Sequence, residues 1–103
     1  MYKCVDWLLG KVAEWKRNKQ YEKKRKEFLK QYKKEDLEKL KNQVDEELRR
    51  MKNEIDILFL EIRRTEDMEI ATQKDNQRDE LKLKRKGMIL IYPDIFGTEF
   101  VEE

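Results

Sequence analysis

LEKLKNQVDEELRRMKNEIDILFLEI, residues 37–62, decides how the rest of this chain is read. Its apolar residues Leu37, Leu40, Val44, Leu48, Met51, Ile55, Leu58 and Ile62 follow one another at spacings of 3, 4, 4, 3, 4, 3 and 4. At about 100° per residue they fall inside an arc of about 80° on one helix, a pattern that a strand of period two cannot produce. The consecutive fours around Val44 interrupt strict heptads with a stutter. The stretch therefore reads as a coiled-coil type seam. A stripe this long and narrow calls for a facing helix, and the expected partner is a second copy of the chain, as a homodimer. At residues 57–60 the sequence ILFL is apolar on all sides, so a further layer, from another helix or from the tail, is expected at that level.

Working outward, no glycine or proline occurs between Lys11 and Lys86, and Leu, Lys, Glu, Gln and Arg dominate that span. The seam fades after Ile62, and Thr65 followed by Glu66 and Asp67 has the character of a cap and an acidic first turn. Upstream, Val5, Leu8, Leu9, Val12 and Trp15 form one amphipathic stripe. Continued, the same face becomes Lys16, Lys19, Lys23, Lys26, Lys30 and Lys33, while Tyr21, Phe28 and Tyr32 appear on roughly the opposite face. A single unbroken helix would bury one side and then the other, so a bend is expected near Arg17–Gln20. The organisation is an amphipathic helix over 1–17, a basic helical segment over 18–34, the seam helix over 35–64, a polar helical extension over 65–86 and an extended apolar tail over 87–103. The fold class is all-α: an elongated, coiled-coil type helical protein.

Composition supports that class and excludes several chemistries. Of 103 residues, 47% are charged and 38% hydrophobic, with 25 basic against 23 acidic side chains. High charge of both signs on helix-forming residues is the composition of a long helix or coiled coil. Histidine and serine are absent and Cys4 is the one cysteine. His-based acid–base catalysis, serine nucleophiles, a Cys–His pair and thiolate or imidazole zinc sites are thereby excluded. No enzymatic activity, no cofactor and no small-molecule substrate are expected. A lone cysteine suits a reducing compartment, and near a helix start it reads as a small buried hydrophobe. The N-terminal stretch carries Asp6 and Lys11 inside its apolar residues, which fits neither a signal peptide nor a membrane span, so the expected location is cytoplasmic.

Between Lys16 and Lys34 ten Lys or Arg stand against two Glu, a net of +8, and the blocks 35–47 and 54–69 each carry a net of −4. A row of lysines at helical spacing suits polyanion binding, with Lys16, Lys19, Lys23, Lys26, Lys30 and Lys33 as its candidates. The structural alternative ranks first: basic and acidic blocks of antiparallel helices cancel one another. Nucleic acid comes second, and a membrane surface, through Trp7 and Trp15, last.

The end of the chain, GMILIYPDIFGTEF over 87–100, changes character. Gly87 stands where a helix C-cap would be, after Lys82, Lys84, Arg85 and Lys86. Met88 to Tyr92 reads as a short strand stopped at Pro93, with ELKLKR over 80–85 available as a hairpin partner. The alternatives are a strand of a second copy or the sheet edge of another protein. Ile89, Ile91, Tyr92, Ile95, Phe96 and Phe100 are the candidates for docking a partner or for packing back on the helices. The function that follows is a non-enzymatic interaction protein that self-associates and docks a macromolecular partner. A nucleic-acid-binding accessory using the lysine stripe is one alternative. A small inhibitor or adaptor of a larger machine, of the kind carried by phages and mobile elements, is the other.

Overall fold

A computed structural model describes residues 2–102 as four helices: α1 (Lys3–Arg17), α2 (Tyr21–Gln31), α3 (Lys34–Arg64) and α4 (Met68–Phe96). Among the described residues there is no strand. The chain is elongated, with extents of 52 × 30 × 19 Å and a radius of gyration of 16.1 Å, against about 13 Å for a compact chain of this length.

Each break has a local cause. Between α1 and α2, Lys19 takes a left-handed conformation (φ 55°) that no helix can contain. Between α2 and α3 the chain turns at Tyr32 and Lys33, both extended. At the end of α3 the Thr65 hydroxyl donates to the Glu61 carbonyl at 2.7 Å. Asp67, rather than Thr65, then caps α4: its Oδ1 accepts the Glu69 N–H at 2.9 Å and the Ile70 N–H at 3.3 Å. What looks in sequence like a kink is a full reversal. Lys74 of α4 meets Glu61 of α3 at 2.6 Å, and Arg85 Nε donates to the Leu48 carbonyl at 3.0 Å, so the two long helices run antiparallel.

α1 lies along this pair, antiparallel to α3 and parallel to α4. Its start is held by a residue more than forty positions away. The Cys4 N–H donates to Glu47 Oε1 at 3.0 Å and Oε2 at 3.2 Å, and the Val5 N–H donates to Oε1 at 3.1 Å. Tyr2, at the N-cap position, offers no side-chain cap of its own. Glu47, only 5% exposed, supplies the missing acceptor to the first-turn amides and places negative charge at the positive end of the helix dipole. Lys84 of α4 reaches Asp6 at 3.1 Å. α2 folds back over α1, where Phe28 stacks against Trp15 (5.6 Å between ring centres) and Trp7 (5.8 Å).

One core results. Val5, Leu8, Val12 and Trp15 of α1, Phe28 of α2, Val44, Leu48 and Met51 of α3, and Met88, Ile91, Tyr92 and Ile95 of α4 form a single buried cluster. On full burial each aliphatic member contributes about 1.5–3 kcal/mol. The cluster occupies the proximal half of the α3–α4 hairpin. Beyond Met51, α3 and α4 continue as a two-helix arm in which Leu58 is buried outside that cluster. There the Arg78 guanidinium lies over the Phe59 ring at 5.0 Å.

The strand expected over Met88–Tyr92 is not formed, and Gly87 is no cap: both lie inside α4. Helical periodicity wins because Met88, Ile91, Tyr92 and Ile95 all turn into the core, and that burial outweighs the β-preference of Ile89 and Ile91. ELKLKR is likewise helical. Pro93 sits in the last turn, and the helix closes at Gly97, left-handed at φ 75°, whose N–H donates to the Pro93 carbonyl at 2.9 Å. The described residues after it fold back without regular structure. Phe100 meets Tyr92 edge-on at 5.6 Å, with Arg49 and Arg85 over its ring.

The two glycines make opposite predictions. A Cβ added at Gly87 would meet Leu9 Cδ2 at 3.5 Å, an ordinary van der Waals contact, so Gly87→Ala should stabilise the fold by up to about 1 kcal/mol. Gly97→Ala, at positive φ, should destabilise it by about 1 kcal/mol. Urea unfolding of both variants measures the signs; a Gly87→Ala loss as large as the Gly97→Ala loss would contradict a helical Gly87.

Candidate interaction surfaces

The residues expected to form a self-association seam are largely occupied within the chain. Val44, Leu48 and Met51 are fully enclosed by α1 and α4, and Leu58 is buried in the arm. Leu40 packs against the core from its edge, and Leu37, Ile55 and Ile62 are half-buried. The periodicity is real, but α1 and α4 of the same chain answer it.

The tail candidates have a similar fate. Ile91, Tyr92 and Ile95 are core residues, while Ile89, Phe96 and Phe100 pack against the core from its margin. The Tyr92 hydroxyl donates to Asp45 of α3; burial first, and then that carboxylate, raise the phenol above its usual range. Arg85 bonds Glu102 as well as the Leu48 carbonyl. Phe100 and Glu102 thus brace the α3–α4 pair near the chain end, far from residues 57–60, which the tail does not cover.

All six lysines of the basic stripe are exposed, but they do not form one row. Lys16 ends α1 and lies over the Tyr21 ring at 5.5 Å. Lys19 is in the turn and Lys33 precedes α3. Only Lys23, Lys26 and Lys30 share a face of α2, within about 60° of one another. The neighbouring cations are engaged: Arg25 pairs with Glu22 at 2.9 Å and donates to the Asp94 carbonyl at 3.1 Å. Tyr21 donates to Asp94 Oδ2 at 2.7 Å, and burial, with that carboxylate, pushes its phenol up to about 12. The aromatic rings of this region stack on one another beneath α2.

What the sequence reading missed lies on the arm and along α4. Ile57, Leu60 and Ile70 are about half exposed, and Met68, Leu83 and Leu90 are 81%, 71% and 70% exposed. A groove of about 730 Å³ runs between α3 and α4, lined by the apolar Ile55, Leu83, Ile89 and Leu90 and the charged Lys52, Asp79, Lys82 and Lys86. The signal was present in part. ILFL was apolar on every side, but Leu83 was absorbed into a supposed strand alternation.

Among the described residues no three carboxylates or thiols converge as a metal site, and no helix is long and apolar enough to cross a membrane. Cys4 Sγ donates to Gln43 Oε1 at 3.1 Å. Comparison with protein families, with curated proteins and with solved structures finds no match.

Burial, followed by the neighbouring Glu47 carboxylate, pushes the Cys4 thiol up to about 11. Since the thiolate is the nucleophile, alkylation of the folded protein should be slow near neutral pH and rise only toward pH 11. Unfolding in urea should restore ordinary reactivity. Glu47→Gln removes the negative charge while leaving a carbonyl acceptor, and should move the reactivity profile to lower pH. Rapid iodoacetamide labelling of the folded wild-type chain at pH 7 would contradict the placement of Cys4.

Proposed function

We propose that this chain is a non-enzymatic helical interaction protein that docks another protein on the distal end of the α3–α4 arm. The observation that carries this reading is the exposure of Ile57 and Leu60 on one face of α3, beyond the level at which α1 and α2 supply cover. Two large aliphatic side chains one helical turn apart are the anchors a partner helix or groove uses. The proximal core supports the reading from the other side, since it holds the arm without needing the arm's own surface. Acidic Asp56 and basic Arg64 flank the pair, giving it a polar rim.

Ile57→Glu/Leu60→Glu tests this. Both positions are exposed, so helicity by circular dichroism should be unchanged, while proteins co-purifying with the wild type in quantitative mass spectrometry should fall at least about tenfold. An unchanged set of co-purifying proteins would refute the arm as the docking site.

A second reading, polyanion binding, is favoured by Lys23, Lys26 and Lys30 on one outward face of α2. Such binding is electrostatic and steeply salt-dependent. Changing all three to Glu should abolish retention on heparin at low salt with the fold intact. Wild-type protein that flows through heparin at low salt would remove this reading.

A further inference from the structure

We infer that a second copy of this chain docks antiparallel along the outward face of α4, placing the acidic half of each helix against the basic half of the other. The inference goes beyond partner docking on the arm and uses a different face of the hairpin.

Met68, Thr72, Asp75, Asp79, Leu83, Lys86 and Leu90 recur along α4 at spacings of 4, 3, 4, 4, 3 and 4. On a helix they span an arc of about 80°. All seven are exposed. This is a second seam of the same periodicity as the one α3 buries, and it has no cover within the chain. Three of its positions carry large apolar side chains, Met68, Leu83 and Leu90, each more than two-thirds exposed. From Met68 to Leu90 it runs for about 33 Å.

Charge selects the occupant. The N-terminal half of the face carries Asp75 and Asp79, while the C-terminal half carries Lys86, with Lys82 at its edge. None of these four charges makes an ion pair among the described residues. An antiparallel copy related by a two-fold axis between positions 80 and 81 sets Asp79 opposite Lys82 of the second copy and Asp75 opposite Lys86 of the second copy. The two-fold axis repeats both pairs. In the same register Leu90 lies beside Thr72 and Met68 of the second copy, so two of the three apolar positions are covered together with the charges. A parallel arrangement would set Asp on Asp and Lys on Lys, which disfavours it.

The groove beside this face fits the same occupant. Lys52 of α3 lines it together with Lys82, Lys86 and Asp79 of α4 and the apolar Ile55, Leu83 and Ile89. The incoming acidic half of α4 meets Lys52 from one helix and Lys82 and Lys86 from the other there, against the one carboxylate of Asp79. The interface is self-complementary, as a closed two-fold contact requires. It is also short and solvent-edged, which gives a reversible, salt-sensitive dimer rather than an obligate one.

Charge reversal tests the arrangement. Wild-type protein at low salt should show a monomer–dimer equilibrium in sedimentation velocity, shifting toward monomer as salt is added. Asp75→Lys/Asp79→Lys makes the face wholly basic, and Lys82→Glu/Lys86→Glu makes it wholly acidic. Each variant alone should dimerise at least about tenfold more weakly than wild type, with circular dichroism unchanged because all four positions are exposed. Mixed one to one, the two variants should form a dimer containing one chain of each, seen by native mass spectrometry. Wild-type protein that stays monomeric at high micromolar concentration overturns the inference. So do variants that dimerise as tightly as wild type, or a mixture that forms no mixed dimer. Ile57 and Leu60 are intact in every one of these proteins, so partner capture on the arm is read separately and can stand or fall on its own.

Discussion

The contact on which the rest of the structure depends is the buried Glu47 carboxylate at the start of α1. A carboxylate that loses water is costly unless its oxygens are satisfied. Here the Cys4 and Val5 amides satisfy them, and α1 in turn gains the cap that Tyr2 does not provide. The exchange fixes where α1 begins relative to α3 and leaves no freedom in its direction. Val5, Leu8 and Val12 then face Val44, Leu48 and Met51, and Leu9 comes to rest against Gly87. Once α1 holds that side of the hairpin, the apolar seam of α3 is filled from within the chain.

That placement divides the hairpin into two halves with different prospects. The proximal half has three helices, the crossing of α2 and the folded-back Phe100, and among the described residues it holds every buried apolar side chain except Leu58. The distal half has two helices. Leu58 is buried there, the Arg78 guanidinium lies over the Phe59 ring, and the outer faces keep Ile57, Leu60 and Met68 in water. A chain with 47% charged residues has too little apolar material to surround a hairpin of this length. Exposed apolar positions concentrated on one arm and one helix face are therefore where association should occur.

Much of the fold was legible in the sequence, for identifiable reasons. The spacing from Leu37 to Ile62 determined the long helix, and the switch of apolar face between Trp15 and Tyr21 located the first break. Two things were not legible. Periodicity states that a seam needs a partner, but not whether the partner is a second copy or the same chain returning, because that depends on Glu47 anchoring α1 across more than forty residues. The segment 88–92 misled because Ile89, Ile91 and a following proline are strand-like locally, whereas the spacing of Met88, Ile91, Tyr92 and Ile95 becomes decisive only once a core is there to receive it. Of the candidate sites, the basic residues are exposed as expected but divided by the left-handed Lys19. The face along α4 escaped because its repeat mixes Leu with Asp and Lys and so carries little hydrophobic signal.

Amide hydrogen exchange at high and low protein concentration tests most directly whether the α3 seam is an internal core. Slow exchange reports burial in the most stable cooperative unit, and an interface formed by association weakens on dilution by mass action. The structure predicts that the amides of residues 44–51 and of 88–95 other than Pro93 remain the slowest in the molecule after dilution, because α1 of the same chain covers them. Protection of residues 44–51 that disappears on dilution would contradict it, and would return the seam to the interface between copies.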